Sequence, residues 1–418
     1  MKVLWITNIL FPDICKEIKQ VPPVTGGWMQ SSALALLKKD PSIKLAVAAL
    51  YNGKSILAEN IGDVTYYCLP FMNNPSSYNP KLESFWRHVK SDFDPDIVHI
   101  HGTEFSHGLA YIKACGAKNV VVSIQGLIGA YARYSLGGIP ESELTRHHTV
   151  FDLLREHIKK MPERMSKQGN LESEYFHLVN DVIGRTSWDY NHTISLNPQI
   201  RYHFCNETLR NAFYGEDIWD YNSCRKFSIF LSQAAKPIKG LHILLKALPM
   251  VLCKYPNVKI FIAGPDLLAK KTLKEKLKYG AYAHYIQHLI NKYSLQKQII
   301  FLGNLKEEDM LKQYLSANIF VCPSSIENSP NSLGEAQILG VPCIASYVGG
   351  IPDMVENRTS GLLYPFDEYE MLACCIIQLF QDESLLLNIS KRAREVALKR
   401  HSRENNAMQL ISIYRSIM

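Results

Sequence analysis

Long apolar runs and organised cysteine are both scarce in this 418-residue chain. No stretch approaches the ~20 consecutive apolar residues that a membrane-spanning helix needs. The most apolar late segment, 371–380, is about half that length, so no spanning helix is expected. The ten cysteines include no C-x-x-C pair, and Cys374 and Cys375 are adjacent. That pattern excludes a zinc framework or a secreted disulfide scaffold, and the thiols are expected to be reduced and mostly buried. Internal repeats and low-complexity tracts are missing as well, which rules out a solenoid or a disordered linker protein. Near the start, Val3-Leu4-Trp5-Ile6 is broken by Thr7 and Asn8 with no small-residue cleavage site after it. This is the pattern of a buried strand rather than of a signal peptide.

What is present is the composition of a globular chain, 47% hydrophobic and 20% charged, with enough length for two ordinary domains. The formal charge of +7 suits an anionic ligand or membrane surface, but 39 acidic residues are interspersed among the 46 basic ones. Charge therefore biases the choice of partner without naming one, and no nucleic-acid partner is expected.

Short β-rich runs alternate with helical patterns, which predicts parallel sheets built from strand-helix-strand units. A first series of strands is expected at 2–7, 44–50, 64–69, 97–101, 120–124, 182–185 and 193–196, with helices over 28–39 and 82–90. The more polar stretch 131–180 is expected to lie as helices and loops over the first sheet. A second series is expected at 227–231, 259–263, 299–302, 319–322, 343–346 and 362–364. Two sheets in sequence predict two doubly wound α/β domains: 1–205, a linker over 206–226, and 227–400. The tail 401–418 reads as helix after a break near His401-Ser402.

The stretch from Val321 to Gly340 is the most informative, because an apolar strand ends, a polar loop follows and a helix begins. Ser329 followed by Pro330 predicts an N-cap with proline at the first helical position. The free N–H groups of Asn331, Ser332 and Leu333 would then make a site suited to a phosphate. Glu335 lies one turn further in, on the face of Asn331 and Ser332, where its two oxygens can accept ribose hydroxyls. Glu327, in the loop before the helix, is free to reach the other end of the same ligand.

Glu327 and Glu335, separated by seven residues and followed by Ala336 and Gly340-Val341-Pro342, resemble the E-x7-E signature of retaining glycosyltransferases of family 4. The resemblance extends over about 227–366, through Ile300-Phe301-Leu302-Gly303, Val348-Gly349-Gly350-Ile351-Pro352-Asp353 and Ser360-Gly361-Leu362-Leu363. It implies the GT-B architecture, two Rossmann-like domains facing across a cleft, with the acceptor side on the first domain. The nucleotide sugar would bind the second domain, and the tail helix would return to the first. Lys239 before Gly240 would contact the donor diphosphate, although alone it reads more readily as a solvated helix start. Gly303, Asn331, Ser332, Leu333 and Glu335 would complete the donor site, with Glu327 orienting the donor sugar. Members usually carry an arginine a few residues before the lysine, where this chain has Gln233, with Lys236 nearby.

In the first half, Gly26-Gly27 stands where the family has its glycine loop after the first strand, though a bare pair also reads as a turn. His99 and His101 resemble the H-x-H strand end, with His101 facing the ligand and His99 read as interior. Gln125-Gly126 occurs where relatives often have histidine before glycine, and Gln125 can hydrogen-bond a sugar but not supply a proton. Arg185 in Arg185-Thr-Ser-Trp-Asp189 either faces an acceptor phosphate or pairs with Asp189. Asp94-Pro95-Asp96 is read as a helix stop rather than a metal motif, and no metal or other cofactor is expected. The lysines at 270, 271, 274, 276 and 278 are read as one solvated face.

By resemblance the expected activity is transfer from a nucleotide-diphosphate sugar, UDP favoured and GDP next, with retention of configuration. The expected acceptor is a saccharide or polyprenyl-linked saccharide in capsule, exopolysaccharide or O-antigen assembly, at the cytoplasmic face of the membrane. A sugar-nucleotide epimerase of the same fold, or a non-catalytic nucleotide-sugar-binding partner protein, are the alternatives.

Overall fold

Strands that are apolar on both faces, joined by helices of ten or more residues, can pair only in parallel with a crossover between them. The computed structural model has that organisation twice, and describes residues 1–23, 26–70, 77–149, 152, 157–269 and 280–418. The lysine run at 270–278 lies outside the described residues. By its internal contacts the chain divides into two units: Met1–Ala130, Met165–Asn211 and Arg400–Met418 in one, Tyr131–Arg164 and Ala212–Lys399 in the other.

The first unit carries β1 (Lys2–Ile6), β2 (Lys44–Tyr51), β3 (Leu57–Ile61), β4 (Val64–Pro70), β5 (Ile97–His101), β6 (Val120–Ser123), β7 (Asp181–Gly184) and β8 (Arg201–Phe204). They form one sheet in the order β3-β4-β2-β1-β5-β6-β7-β8. β3 runs antiparallel to β4, and the remaining neighbours are parallel. Alternation along the strands sends Leu4, Ile6, Val98 and Ile100 to one face and Val3, Trp5 and Ile97 to the other. The helix Arg403–Ile417 covers the second face with Leu410, Ile411, Ile413, Tyr414 and Ile417. Trp5 Nε1 donates to the Tyr414 hydroxyl at 2.9 Å, leaving the hydroxyl proton for His99 Nδ1 at 2.7 Å. His99 Nε2 reaches Ser123 Oγ at 2.5 Å, so this histidine is a satisfied interior residue.

The second unit carries β9 (Arg225–Leu231), β10 (Lys259–Ala263), β11 (Ile299–Gly303), β12 (Ala317–Cys322), β13 (Cys343–Ser346) and β14 (Leu362–Tyr364), in the parallel order β11-β10-β9-β12-β13-β14. The β9–β12 register slips once, between Ala317 and Ile319. Asn318 fills the slip, accepting from Phe227 N–H through Oδ1 and donating its own N–H to Ser228 Oγ, both at 3.0 Å.

Three expectations change. Residues 193–196 form the end of the helix Ser187–Leu196, not a strand, because a capping box at Thr186 and Asp189 starts a helix that runs through them. The sheet edges β3 and β8 went unforeseen: β8 is half exposed, and β3 carries Glu59 and Asn60 side by side with no residue fully buried, so neither reads as a buried run. The segment Tyr131–Arg164 belongs with the second unit instead of lying over the first sheet. Asp94-Pro95-Asp96 follows the helix Leu82–Phe93, with Asp94 left-handed at its end and Asp96 Oδ2 accepting from Lys2 N–H at 2.7 Å. Among the described residues no single helix is long and apolar enough to cross a membrane.

Burial depresses the pKa of His99 and takes His101 and His242 to about 3, His107 and His401 to about 4, against 6.5 when free. Burial raises Glu104 and Glu172 to about 7, against 4.5. Each histidine contributes stability that is present above pH 6.5 and lost as pH falls towards its folded value. The two carboxyls act in the opposite sense, but the histidines outnumber them, so the unfolded chain binds more protons in this window. Denaturant titrations should therefore show stability falling between about pH 7 and 5. A flat or rising profile would contradict this balance.

Candidate active site

In the second sheet the strand order reverses between β9 and β12, and ligands of such sheets bind beyond the carboxyl ends of strands at this point. The loop after β9 ends in a tight turn, Pro237–Lys239, closed by Gly240 at φ +72°. A Cβ on Gly240 would overlap the Pro323 carbonyl oxygen, so the turn can press onto the loop after β12 only with glycine there. Ser325 N–H donates to the Ile238 carbonyl at 2.9 Å and joins the two loops.

This contact brings Lys239 Nζ to 2.6 Å from Glu327 Oε1, and the Ser324 hydroxyl donates to the same oxygen at 2.7 Å. Ser324 is held in turn by Ser346 Oγ, which donates to its carbonyl at 2.5 Å. On the other side of the loop, Gly350 N–H donates to the Glu327 carbonyl at 3.0 Å, and a Cβ on Gly349 would overlap that oxygen. Burial pulls the Lys239 pKa down, but the charge and hydrogen bond of Glu327 outweigh it, and the net shift is upward. Lys239 is therefore a cation at neutral pH. The nearby Cys322 thiol is pushed up to about 12, first by burial and then by Glu327, which makes it a poor nucleophile.

The helix Asn331–Leu339 begins directly after this loop. Its N-cap is Pro330, not Ser329 as expected, since Pro330 has extended φ/ψ and its carbonyl accepts from Leu333 N–H at 3.0 Å. Ser329 Oγ instead lies 3.6 Å from Met354 Sδ. Leu333 is thus withdrawn as a ligand donor: its N–H is engaged and its side chain fully buried. Asn331 and Ser332 remain half-buried at the helix start, and Asn331 Oδ1 has no hydrogen-bond partner among the described residues. Glu335 is buried at 4% exposure, and the Tyr314 hydroxyl sits 3.4 Å from its Oε2 and donates to the Ser332 carbonyl at 3.0 Å. Gly303 closes β11 at φ +73° and pairs with Gly264, and a Cβ on either would meet open space. Gln233 and Lys236 are both exposed.

The first-half candidates lie in the first unit. His101, 4% exposed at the end of β5, stacks on His99 and Trp5 with ring centroids 3.8 and 4.4 Å away. Neither of its ring nitrogens has a hydrogen-bond partner among the described residues, and burial keeps it neutral. Gly26 precedes the helix Gly27–Lys39 at φ +84°, where a Cβ would overlap Ile9. Gln125 is half-buried just after β6. Arg185 does not stand free for an acceptor phosphate: it is buried, its guanidinium pairs with Glu207 and donates to the Ile124 carbonyl at 2.6 Å, and Asp189, the other expected partner, accepts from its backbone N–H and adds its charge to that of Glu207. Glu207, more than twenty positions away, gave no signal in the motif. Ser324 and Tyr314 also went unforeseen; Ser324 was visible as a hydroxyl two positions past a strand end, whereas Tyr314 sits on the preceding helix Glu307–Ser316. No group of three or more metal-ligating side chains occurs among the described residues.

Residues 218–396 match the family of glycosyl transferases group 1. D-inositol 3-phosphate glycosyltransferase of Corynebacterium urealyticum is 28% identical over 186 residues, which cover 43% of this chain and 41% of that protein. The matched part is thus less than half the length of this curated relative. Over its full length the chain superposes on sucrose-phosphate synthase from Thermosynechococcus elongatus with a TM-score of 0.71 at 17% identity, covering 99% of that chain. Anabaena HepE, in a complex with UDP and glucose, gives a TM-score of 0.66 at 16% identity with all of both chains covered. At such identities the likeness shows the fold, which is GT-B.

Gly240→Ala should destabilise the protein by more than about 1 kcal/mol, because the turn needs both a positive φ and space against Pro323. Urea unfolding beside the wild type measures it, and equal midpoints would remove the packing argument.

Proposed function

We propose that the protein transfers a glycosyl group from a nucleoside-diphosphate sugar to a saccharide acceptor, with retention of configuration. The observation that carries this reading is the Lys239–Glu327 pair at the reversal point of the second sheet, beside a helix start and the buried Glu335. In this reading the donor diphosphate takes Lys239 and the N–H groups of Asn331 and Ser332, where a helix N-terminus favours an anion. Glu335 accepts the ribose hydroxyls, and Gly303 leaves the nucleotide room. Glu327 binds hydroxyls of the donor sugar. The bond from the anomeric carbon to the phosphate oxygen breaks while the acceptor oxygen bonds to that carbon on the same face. The acceptor proton passes to the leaving phosphate oxygen. No protein nucleophile takes part, which agrees with the inert Cys322 thiol, and Lys239 stabilises the developing negative charge.

Gly26 and Gly27 are proposed to bind the donor and neutral His101 to act in catalysis through a hydrogen bond to a hydroxyl, while Gln125 is proposed for the acceptor side. The complex of HepE with UDP and glucose supports UDP as the base carrier, with GDP next. The acceptor is a lipid-linked saccharide in bacterial surface-polysaccharide assembly, met in the cytoplasm at the inner face of the membrane.

A thermal-shift panel of UDP, GDP and their sugar conjugates tests the donor site, since a ligand bound by the native state alone raises the midpoint. One nucleotide should stabilise the wild type and lose that effect in Glu335→Ala. Glu327→Gln should keep the shift, with Lys239 released to the diphosphate, and lower turnover by at least about tenfold, roughly the loss of one charge-assisted hydrogen bond. An unchanged shift in Glu335→Ala, or unchanged turnover in Glu327→Gln, would remove the respective assignment. The reaction is proposed to be metal-independent, so EDTA should leave transfer intact; loss restored by manganese would reverse that.

A further inference from the structure

Tyr131–Arg164 interrupts the first unit in sequence yet packs within the second, and its contacts there converge on the loops of the candidate site. The Tyr134 carbonyl accepts from Gly137 N–H at 2.8 Å and from Ser325 Oγ at 3.2 Å, two residues before Glu327. Gly137, at φ +63°, lies so close to the Pro237 carbonyl that a Cβ would overlap it. The Gly137 carbonyl is also bonded to His242 Nε2 at 2.8 Å. His242 is fully buried in the first turn of the helix Leu241–Lys254, and burial takes its pKa to about 3, so the ring is neutral and Nε2 carries the proton it donates. Further along, His147 stacks near Tyr285 and His288 of the helix Ala281–Lys292, with centroids 5.5 and 5.0 Å away, and anchors the segment's far end.

Gly137 therefore touches the chain on both sides of Lys239, at Pro237 two residues before it and at His242 three residues after. The ammonium sits at the end of a flexible four-carbon stem, so its location depends on how firmly the backbone beneath it is held. We propose that Gly137 and His242 are positioning residues for Lys239, and that the segment 131–146 braces the cation that meets the donor diphosphate. This rests on the reading of Lys239 as the diphosphate contact. The brace deepens that reading by making donor affinity depend on a segment that never needs to touch the donor.

The test uses the full chain and has two arms. Without ligand, acylation of the Lys239 amine by an anhydride reagent is followed by mass spectrometry in wild type, His242→Ala and His242→Gln. Lys239 should label several-fold faster in His242→Ala, where its pairing with Glu327 loosens. It should return towards the wild-type rate in His242→Gln, whose amide can donate to the Gly137 carbonyl. Equal rates in all three would overturn the brace. Should His242→Ala fail to fold, Gly137→Ala replaces it, with the same expectation. In the second arm, UDP affinity is measured in wild type, His242→Ala, Lys239→Ala and the double variant. His242→Ala should weaken binding about tenfold and add nothing to Lys239→Ala, since residues acting through one group are not additive. Fully additive losses would mean that His242 acts on the fold rather than through Lys239, and would overturn the proposal. Absence of UDP and GDP binding by the wild type, with labelling still changed by His242→Ala, would sink the donor reading and leave the brace standing.

Discussion

Everything in the second unit's candidate site depends on a backbone constraint: the loop after β12 is gripped from both sides by glycines whose missing side chains let main chain meet main chain. Gly240 presses on Pro323 and Gly349 on Glu327, with the Ser325 and Gly350 N–H groups tying the same loop down. A carboxylate on such a loop cannot drift, and neither can the amine opposite it. The Lys239–Glu327 pair is thus set in place by packing, and the attraction of Glu327, which outweighs the burial of Lys239, keeps it charged.

That arrangement also explains where charge is held in reserve. Lys239 and Glu327 neutralise each other at 2.6 Å, and Ser324 shares the same carboxylate oxygen. An arriving diphosphate would not encounter a naked cation but would compete for one already satisfied. In the proposed reading, selectivity would fall on ligands that satisfy both partners at once, an anion for the lysine and hydroxyls for the carboxylate. A sugar joined to a diphosphate presents both groups on adjoining atoms.

Much of this was legible in the chain. The six strands of the second sheet and the loop-to-helix passage around Glu327 and Glu335 follow from apolar runs and a proline, all local signals, whereas Lys239 before Gly240 stood out only through the resemblance. What was not legible is what depends on distant partners. Arg185 was left open between an acceptor phosphate and Asp189 because Glu207 was invisible from its motif, and Leu333 was read as a donor although its N–H bonds back to the Pro330 carbonyl. The edge strands β3 and β8 lack the continuous apolar pattern of their buried neighbours. The stretch 131–180 was expected over the first sheet because a polar stretch carries no mark of what it packs against; the described attachments of 131–149 run through the Tyr134 carbonyl, Gly137 and the His147 ring, whose partners leave no trace in periodicity.

The Tyr414 hydroxyl has a consequence for how the protein comes into being. It bonds Trp5 and His99, and its helix covers the face of the first sheet that holds Val3 and Ile97. These partners lie 409 and 315 positions earlier in the chain. During synthesis from the N-terminus, Met29, Ala33 and Leu36 of the helix Gly27–Lys39 can cover part of that face early, but the part under the tail helix must wait until nearly the whole second unit has left the ribosome. The half that is made first is therefore the half whose core is completed last, and a nascent chain stalled before residue 403 would leave the part of that face under Tyr414 exposed to chaperones or to its neighbours.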